Sequence, residues 1–182
     1  MQAEDKDLAR RCSSGDQKAM EELYKKYAAG LYALCTRYIG DPEIAWDLTQ
    51  ESFLKIFDSI GKYRPEGSLK AWMNRVTVNY TIDYIRKKKR FETVSLESFN
   101  GNVEEPKAES VQKIPREDLM EMVRELPETK RVVFNLFCVE GYSHKEIAKM
   151  LGIKEKTSSS LLFKGKMILA EKVSDYIKRN DL

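Results

Sequence analysis

The sequence predicts an all-α protein with two small helical domains joined by a flexible linker. Apolar residues recur at steps of three and four through most of the chain, which is the period of an amphipathic helix. Only 9 glycines and 5 prolines interrupt the 182 residues, and few segments alternate as strands do. One stretch, residues 91–115, shows neither period and mixes Ser, Asn, Gly and Glu with two prolines. We therefore expect domains at 1–90 and 116–182 and a linker at 91–115.

Composition narrows the class of protein. The net charge is only +3, so any basic surface must be a local one. The cysteines Cys12, Cys35 and Cys138 are far apart, and the single histidine, His144, has no partner at ligand spacing, so we expect no metal and no cofactor. Cys35 and Cys138 are interpreted as small buried residues, and His144 as facing solvent. No apolar run reaches membrane length and the N-terminus lacks a signal-peptide core, which predicts a cytoplasmic protein that is not membrane-embedded.

Three helices are expected before residue 61. The first covers about 5–12 and closes at Gly15. Asp16 is a good N-cap for the second, which ends at Gly40 and carries one apolar face, formed by Met20, Leu23, Tyr24, Tyr27, Leu31, Leu34, Cys35 and Tyr38. A third helix is expected from Pro42 to about residue 60, because Pro tolerates the first helical position and Asp41 can cap it.

The third helix has two distinct faces. Its apolar side is formed by Ala45, Leu48, Ser52 and Ile56, with Phe57 beside them. A second stripe at helical spacing consists of Asp47, Gln50, Glu51, Leu54 and Asp58. From these residues alone, a solvated surface is the simpler interpretation of the stripe.

A long basic helix follows a loop at 61–67. Ser68 caps it, and residues 61–90 hold nine Lys or Arg against Glu66 and Asp83, ending in five consecutive cations. Its expected core side is Leu69, Met73, Val76 and Tyr80, and its polar side is Arg75, Asn79, Asp83 and Arg86. Aromatic rings offer stacking surfaces for bases and cations neutralise phosphates, so the segment predicts nucleic-acid binding.

The second domain predicts a helix-turn-helix. A short helix around Leu119–Leu126 is stopped by Pro127, and another covers about 128–139. The S-x-x-E capping box that begins at Ser143 starts a helix, Gly152 makes the turn, and a last helix extends over about 155–178. As a local pattern it leaves DNA binding open.

Taken together, four segments resemble the extracytoplasmic-function (ECF) group of the sigma-70 family of bacterial RNA polymerase sigma factors. They are GDQKAMEELYKKY, DLTQESFLKIF, GSLKAWMNRVTVNYTIDYIRKKKR and LPETKRVVFNLFCVEGYSHKEIAKMLGIKEKT, in that order. The resemblance covers almost the whole chain. It implies region 2 at 1–90 and region 4 at 116–182. It also implies a non-enzymatic subunit that directs core RNA polymerase to promoters, with promoter DNA and an anti-sigma factor as partners and no small-molecule substrate.

The resemblance also implies roles for individual residues. Contact with the polymerase falls on Asp47, Gln50, Glu51 and Leu54. Recognition and opening of the −10 element fall on Tyr63, Arg64, Lys70, Trp72, Arg75, Asn79, Arg86, Lys87, Lys88 and Lys89. Recognition of the −35 element falls on Thr157, Ser159, Ser160, Phe163 and Lys164. Trp72 has a rival interpretation as a core residue beside the DNA-facing surface.

The last helix departs from the commoner family pattern. Ser158 stands where a core-facing valine is frequent, and Ser159 and Leu161 stand where cations are frequent. Serine bonds either base type and Phe163 could touch a thymine methyl group, so no arginine-to-guanine code fixes the −35 sequence. Target promoters, the inducing signal and the identity of the anti-sigma factor do not follow from the sequence.

Two other functions compete with the sigma-factor interpretation. A free-standing helix-turn-helix regulator would bind duplex DNA without polymerase, but it leaves the DLTQESFLKIF stripe unexplained. A nucleic-acid-processing enzyme would use Asp83 or Glu51 to hold a metal, but no carboxylate cluster accompanies either residue in the sequence.

Overall fold

The computed structural model describes residues 2–88 and 108–180, and every regular element in these ranges is helical. The all-α prediction is therefore confirmed for this part of the chain. By the contacts among its residues the chain divides into two compact units, 1–85 and 86–182. No helix in the described ranges is long and apolar enough to cross a membrane.

The first unit contains four α-helices. They are α1 (Gln2–Ser13), α2 (Gln17–Ile39), α3 (Pro42–Ser59) and α4 (Leu69–Lys88), with a 3-10 turn at Ile60–Lys62. Both predicted aspartate caps are present: Asp16 accepts from the backbone N–H of Lys18 and Ala19, and Asp41 caps α3 in the same way. Each cap contributes about 1 kcal/mol to stability, and together they fix where α2 and α3 begin.

The core of the first unit joins α1, α2, α3 and the start of α4. Its fully buried members include Leu23, Leu31, Ile56, Leu69 and Met73. These positions lie on the apolar faces that the sequence predicts, and their burial removes a continuous apolar surface from water. The core thereby holds α3 and α4 as a rigid support for their outward-facing side chains.

The predicted core side of α4 needs correction. Val76 and Tyr80 are only half-buried, whereas the helix buries Thr77, Val78, Thr81, Ile82 and Ile85. Threonine is small enough to fit where helices approach closely, and the Thr81 hydroxyl lies 3.8 Å from the Cys35 sulfur. The buried side of α4 therefore combines the apolar Val78, Ile82 and Ile85 with two small threonines.

The second unit begins earlier than the predicted domain. It contains α5 (Ala108–Gln112), α6 (Arg116–Arg124), α7 (Glu128–Phe134) with a π-helical turn at Asn135–Val139, α8 (His144–Leu151) and α9 (Glu155–Asn180). Val111 and the buried Ile114 pack with Met122 and Val173. Within the predicted linker, two apolar residues three positions apart therefore join the core of the second unit. Residues 91–107 lie outside the described ranges.

The predicted helix-turn-helix is confirmed in the second unit. The Ser143–Glu146 capping box starts α8. Gly152 ends that helix with φ 68°, in the left-handed region that glycine adopts most readily. The backbone N–H of Ile153 then donates to the Ala148 carbonyl at 3.1 Å, so a tight turn leads directly into α9.

The cysteines match their predicted environment only in part. Cys12 and Cys35 are buried, and burial raises the pKa of both thiols. Cys138 is exposed, which corrects its expected burial. It lies in the π-helical turn, where an extra residue per turn rotates the side chains relative to an ordinary α-helix.

Candidate nucleic-acid and partner interfaces

The polar stripe of α3 is exposed on the first unit. Asp47, Glu51 and Leu54 face solvent, with Leu54 56% exposed, while Gln50 is half-buried. An apolar side chain this exposed, flanked by carboxylates, is typical of a protein contact. The four residues proposed for polymerase binding thus share one accessible helix face.

Two tyrosines from other helices support this stripe. The Gln50 side-chain amide donates to the Tyr24 hydroxyl at 3.0 Å. The Tyr80 hydroxyl donates to the Glu51 carboxylate, and the pKa of Tyr80 is raised by burial and then by that negative charge. Since Tyr24 lies on α2 and Tyr80 on α4, both polar side chains are held in place before any partner binds, which lowers the entropy lost on binding.

Trp46 adjoins the stripe and is not among the residues predicted from the sequence. Its side chain is 49% exposed, and its ring meets Tyr32 edge-on at a centroid distance of 5.9 Å. Trp46 precedes Gln50 by four positions, one helical turn, so the spacing alone could have placed it on this surface. Large exposed aromatic residues are frequent anchors in protein interfaces.

The loop before α4 is closed by its own tyrosine. The half-buried Tyr63 donates from its hydroxyl to the Gly67 carbonyl at 2.6 Å, and its ring lies 5.8 Å from that of Trp72. Trp72 is itself half-buried against the core of the first unit, in keeping with its rival interpretation as a core residue. Arg64 is exposed at the tip of this loop. The loop therefore has a fixed base and an accessible tip.

Helix α1 supports the base of the same loop. A Cβ placed on Gly61 would lie 3.3 Å from the Ser13 hydroxyl, so the 3-10 turn rests closely on the end of α1. Asp5 anchors α1 to α2 by accepting from Lys26 at 2.7 Å and from Tyr27 at 2.8 Å. Burial opposes ionisation of Asp5, but these hydrogen bonds hold its pKa below the ordinary value.

One side of α4 exposes its polar residues. Arg75, Asn79 and Arg86 are exposed at near-helical spacing, as are Lys70, Asp83, Lys87 and Lys88. Lys89 lies outside the described residues. An amide that donates and accepts, placed in a row of guanidinium and ammonium groups, can meet a base edge while its neighbours meet phosphates.

The two carboxylates of the enzyme hypothesis lie on these same surfaces. Asp83 is exposed on α4, and Glu51 is exposed on α3 with Tyr80 as its hydrogen-bond donor. Within residues 2–88 and 108–180, no group of three or more His, Cys, Asp or Glu side chains is arranged to hold a metal ion.

The first turns of α9 present the residues selected for −35 recognition. Ser159 and Phe163 are exposed, Phe163 to 59%, and Thr157, Ser160 and Lys164 are half-buried. Leu161, in contrast, is buried in the core of the unit. It therefore cannot contact DNA directly.

The exposed side of α9 also carries two lysines that are not among the residues predicted from the sequence. Lys156 and Lys166 are exposed, and with Ser159 and Phe163 they follow steps of three, four and three. That spacing places all four on one helix face. Neither lysine lies at a position where the family resemblance implies a cation, but their spacing from Ser159 and Phe163 could have placed them on this surface.

His144 corrects a further expectation, because it does not face solvent. The imidazole is half-buried, and its Nδ1 lies 2.9 Å from the hydroxyl of the fully buried Ser158. Its ring stacks on Phe137 at a centroid distance of 4.5 Å. A residue at the start of α8 is expected to project outward, but the following turn brings α9 back across it.

The far half of α9 is fastened to α6. The Tyr176 hydroxyl donates to Asp118 at 2.6 Å, and Lys172 pairs with Glu125. The buried Arg131 donates to the Arg124 carbonyl at 2.6 Å and so satisfies the end of α6. The Tyr176 and Lys172 contacts join the C-terminal half of α9 to α6 and its C-cap.

Comparison with known proteins places this arrangement in a family. The model of Sigma-70 region 2 matches residues 23–91, and that of Sigma-70, region 4, matches residues 116–169. Together they span more than half of the chain, in the order found in sigma factors. The protein belongs to the sigma-70 family. Within it, the chain belongs to the ECF group of RNA polymerase sigma factors, as its relatives show.

Two relatives illustrate the similarity. The chain is 32% identical over 175 residues to the ECF RNA polymerase sigma factor SigE of Mycolicibacterium smegmatis, covering 92% of this chain and 66% of that protein. It is 26% identical over 183 residues to the ECF RNA polymerase sigma-E factor of Haemophilus influenzae, covering 94% of this chain and 96% of the relative. It thus spans about two thirds of the first relative and nearly all of the second.

A solved structure shares the fold. The structure of CnrH in complex with the cytosolic domain of CnrY matches with a TM-score of 0.50 and 20% identity, covering 94% of this chain and 97% of that one. At this identity the likeness concerns the fold alone.

Proposed function

We propose that this chain directs core RNA polymerase to specific promoters and promotes opening of their −10 elements. The observation that carries the proposal is the exposed row Arg75, Asn79 and Arg86 on α4 beside the accessible Arg64. A base extruded from duplex DNA needs stacking and hydrogen bonds next to charges that hold the strand. A matched region 2 and region 4 in one chain support this role.

The proposed division of labour follows the three surfaces. The α3 stripe, Asp47, Gln50, Glu51 and Leu54, would bind the polymerase. The loop at 61–67 and the polar side of α4 would read and open the −10 element. The exposed start of α9 would meet the −35 element, where Ser159 and Phe163 contact bases and Lys156, Lys164 and Lys166 contact phosphates.

A free-standing helix-turn-helix regulator is not favoured. It would account for α8 and α9, but it would not explain why the chain contains region 2 or an α3 stripe supported by tyrosines. The proposed role also needs no catalytic group of the chain's own. It places the protein in the cytoplasm, where bacterial polymerase and promoter DNA are found.

We also propose control by an anti-sigma factor. Such a partner would cover the α3 stripe, the DNA-facing side of α4, or both, because hiding either surface is sufficient to stop initiation. Membership of the ECF group is the support for this proposal.

The isolated chain is expected to bind duplex promoter DNA weakly and to become promoter-specific only with core polymerase. The proposed −10 reader suits single-stranded DNA, and the α9 face offers serines rather than arginine forks for direct base readout. A mobility-shift assay with and without core polymerase, together with co-purification of the two, measures this. Tight and sequence-specific binding by the chain alone would contradict the proposal.

Deleting about ten residues from 91–107 is expected to leave folding intact but to reduce initiation strongly, because the reach of a flexible linker grows with its length. The −10 and −35 elements lie at a fixed separation on the polymerase. The matched control replaces the same residues with an equally long Gly/Ser segment, which should retain activity in a run-off transcription assay. Full activity of the deletion would show that the segment is not needed to span the two elements.

A further inference from the structure

The His144 side chain connects three elements of the second unit. It lies in the first turn of α8, stacks on Phe137 of the π-helical turn with the rings inclined by 21°, and reaches Ser158 of α9 through Nδ1. Ser158 is fully buried, and its neighbours Thr157 and Ser159 belong to the surface proposed for −35 recognition. The contact is thus made on the inner side of the turn whose outer side meets DNA.

A hydrogen bond and an apolar contact constrain a helix differently. An apolar contact tolerates small sliding movements, since repacking costs little when volume is conserved. A buried hydroxyl with one partner is held to a narrow range of distance and angle, because losing that partner leaves a buried polar group unsatisfied. The pair therefore fixes both the rotation and the axial position of the first turn of α9 relative to α8.

We propose that His144 and Ser158 are positioning residues that set the −35 base preference of this protein. They do not contact DNA. They hold the first turn of α9 so that Thr157, Ser159 and Ser160 meet particular base edges. Because the serine side chain is short, its hydrogen bonds to a base depend on placement within a few tenths of an ångström. The inference rests on the proposed −35 role of α9 and adds the contact that fixes the position and rotation of that helix.

Two substitutions break the hydrogen bond by different means. Ser158→Ala removes only the hydroxyl oxygen, and His144→Phe keeps a ring able to stack on Phe137 while removing Nδ1. His144→Asn is the conservative rescue, because its amide places a polar atom where Nδ1 lies but lacks the ring. Ser174→Ala, which removes a hydroxyl farther along α9, is the matched control. All four are made in the full chain and assembled with core polymerase.

The measurement is open-complex formation on a series of promoters carrying every single substitution in the −35 element. With Ser158→Ala and His144→Phe we expect relative preferences at one or two −35 positions to shift by about five-fold, the equivalent of one hydrogen bond of about 1 kcal/mol. His144→Asn and Ser174→Ala should keep the wild-type ranking of sequences. The −10 preferences should be unchanged in all four, since no residue of the first unit is altered.

A merely structural role gives a different result. If Ser158→Ala and His144→Phe lower the melting temperature and reduce activity equally on every −35 sequence, the positioning inference is overturned. If one of the two variants does not fold, the base-preference profile of the other decides in the same way. A wild-type chain that gives core polymerase no −35 preference would instead overturn the proposed function of α9, so the two failures are distinguishable.

Discussion

The double substitution Gln50→Ala/Glu51→Ala is expected to weaken binding to core RNA polymerase by about 30-fold or more, the loss typical of an interface hot spot worth 2 kcal/mol. The reason is geometric. Both side chains are fixed before binding, Gln50 by Tyr24 at 3.0 Å and Glu51 by the Tyr80 hydroxyl. Alanine removes the partner-facing polar groups and the pre-organisation together.

This variant is also expected to lose a little stability. An exposed substitution alone changes the free energy of unfolding by about 0.5 kcal/mol or less, but each lost tyrosine partner adds up to about 1 kcal/mol. Tyr24→Phe/Tyr80→Phe is the matched control, because it removes the same two hydrogen bonds and keeps Gln50 and Glu51. It should show a similar drop in melting temperature with a much smaller loss of polymerase affinity.

Competition for core polymerase against a reference sigma factor separates the two effects. If Gln50→Ala/Glu51→Ala competes as well as the wild type, the α3 stripe is not the polymerase contact. If the tyrosine control loses as much affinity as the double alanine variant, the loss reflects the fold of the first unit rather than contact with a partner.

The helical framework could be predicted from the sequence because its determinants are local. Asp16 and Asp41 satisfy orphan N–H groups within three residues of themselves, and Gly40 and Gly152 take up the left-handed conformations that end helices. Periodicity then identifies which face is apolar. None of these inferences needs information about the rest of the chain.

The errors concern residues whose surroundings are set by distant parts of the chain. His144 looks exposed at the start of a helix, but a turn fourteen residues later brings Ser158 against it. Cys138 belongs to a residue type that is usually buried, yet in the π-helical turn its side chain lies at the surface. Residues 108–114 look like linker because their two apolar side chains find their partners on α6 and α9.

The sequence predicts a binding surface only where the family resemblance gives a residue a role. The carboxylates at 47 and 51 and the cations at 75 and 86 lie in the segments that resemble the family, and the resemblance predicts their roles. Trp46, Lys156 and Lys166 follow the helical spacing of these surfaces, but only the structure shows that their side chains are exposed. In both units the structure shows further exposed residues on the helix face that the spacing predicts.

Asn79→Ala is expected to impair promoter opening at particular sequences, whereas Lys87→Ala should weaken binding whatever the sequence. Both residues are exposed on α4, but their chemistry differs. An amide offers one donor and one acceptor side to a base edge, so its loss costs about 1–3 kcal/mol at the single −10 position it reads and relaxes the preference there. An ammonium neutralises a phosphate, so its loss lowers affinity uniformly and reduces the salt dependence by about one counterion.

Permanganate footprinting of holoenzymes on a −10 substitution series, repeated at several salt concentrations, measures both effects. Asn79→Ala should keep the wild-type salt slope and lose discrimination at one position, while Lys87→Ala should keep the wild-type preferences and lower the slope. The near-helical row Arg75, Asn79 and Arg86 explains why the two effects separate: the amide lies between cations that hold the strand, so the strand stays bound after the base contact is lost. Equal changes in base preference for both variants would refute this division of labour between Asn79 and Lys87.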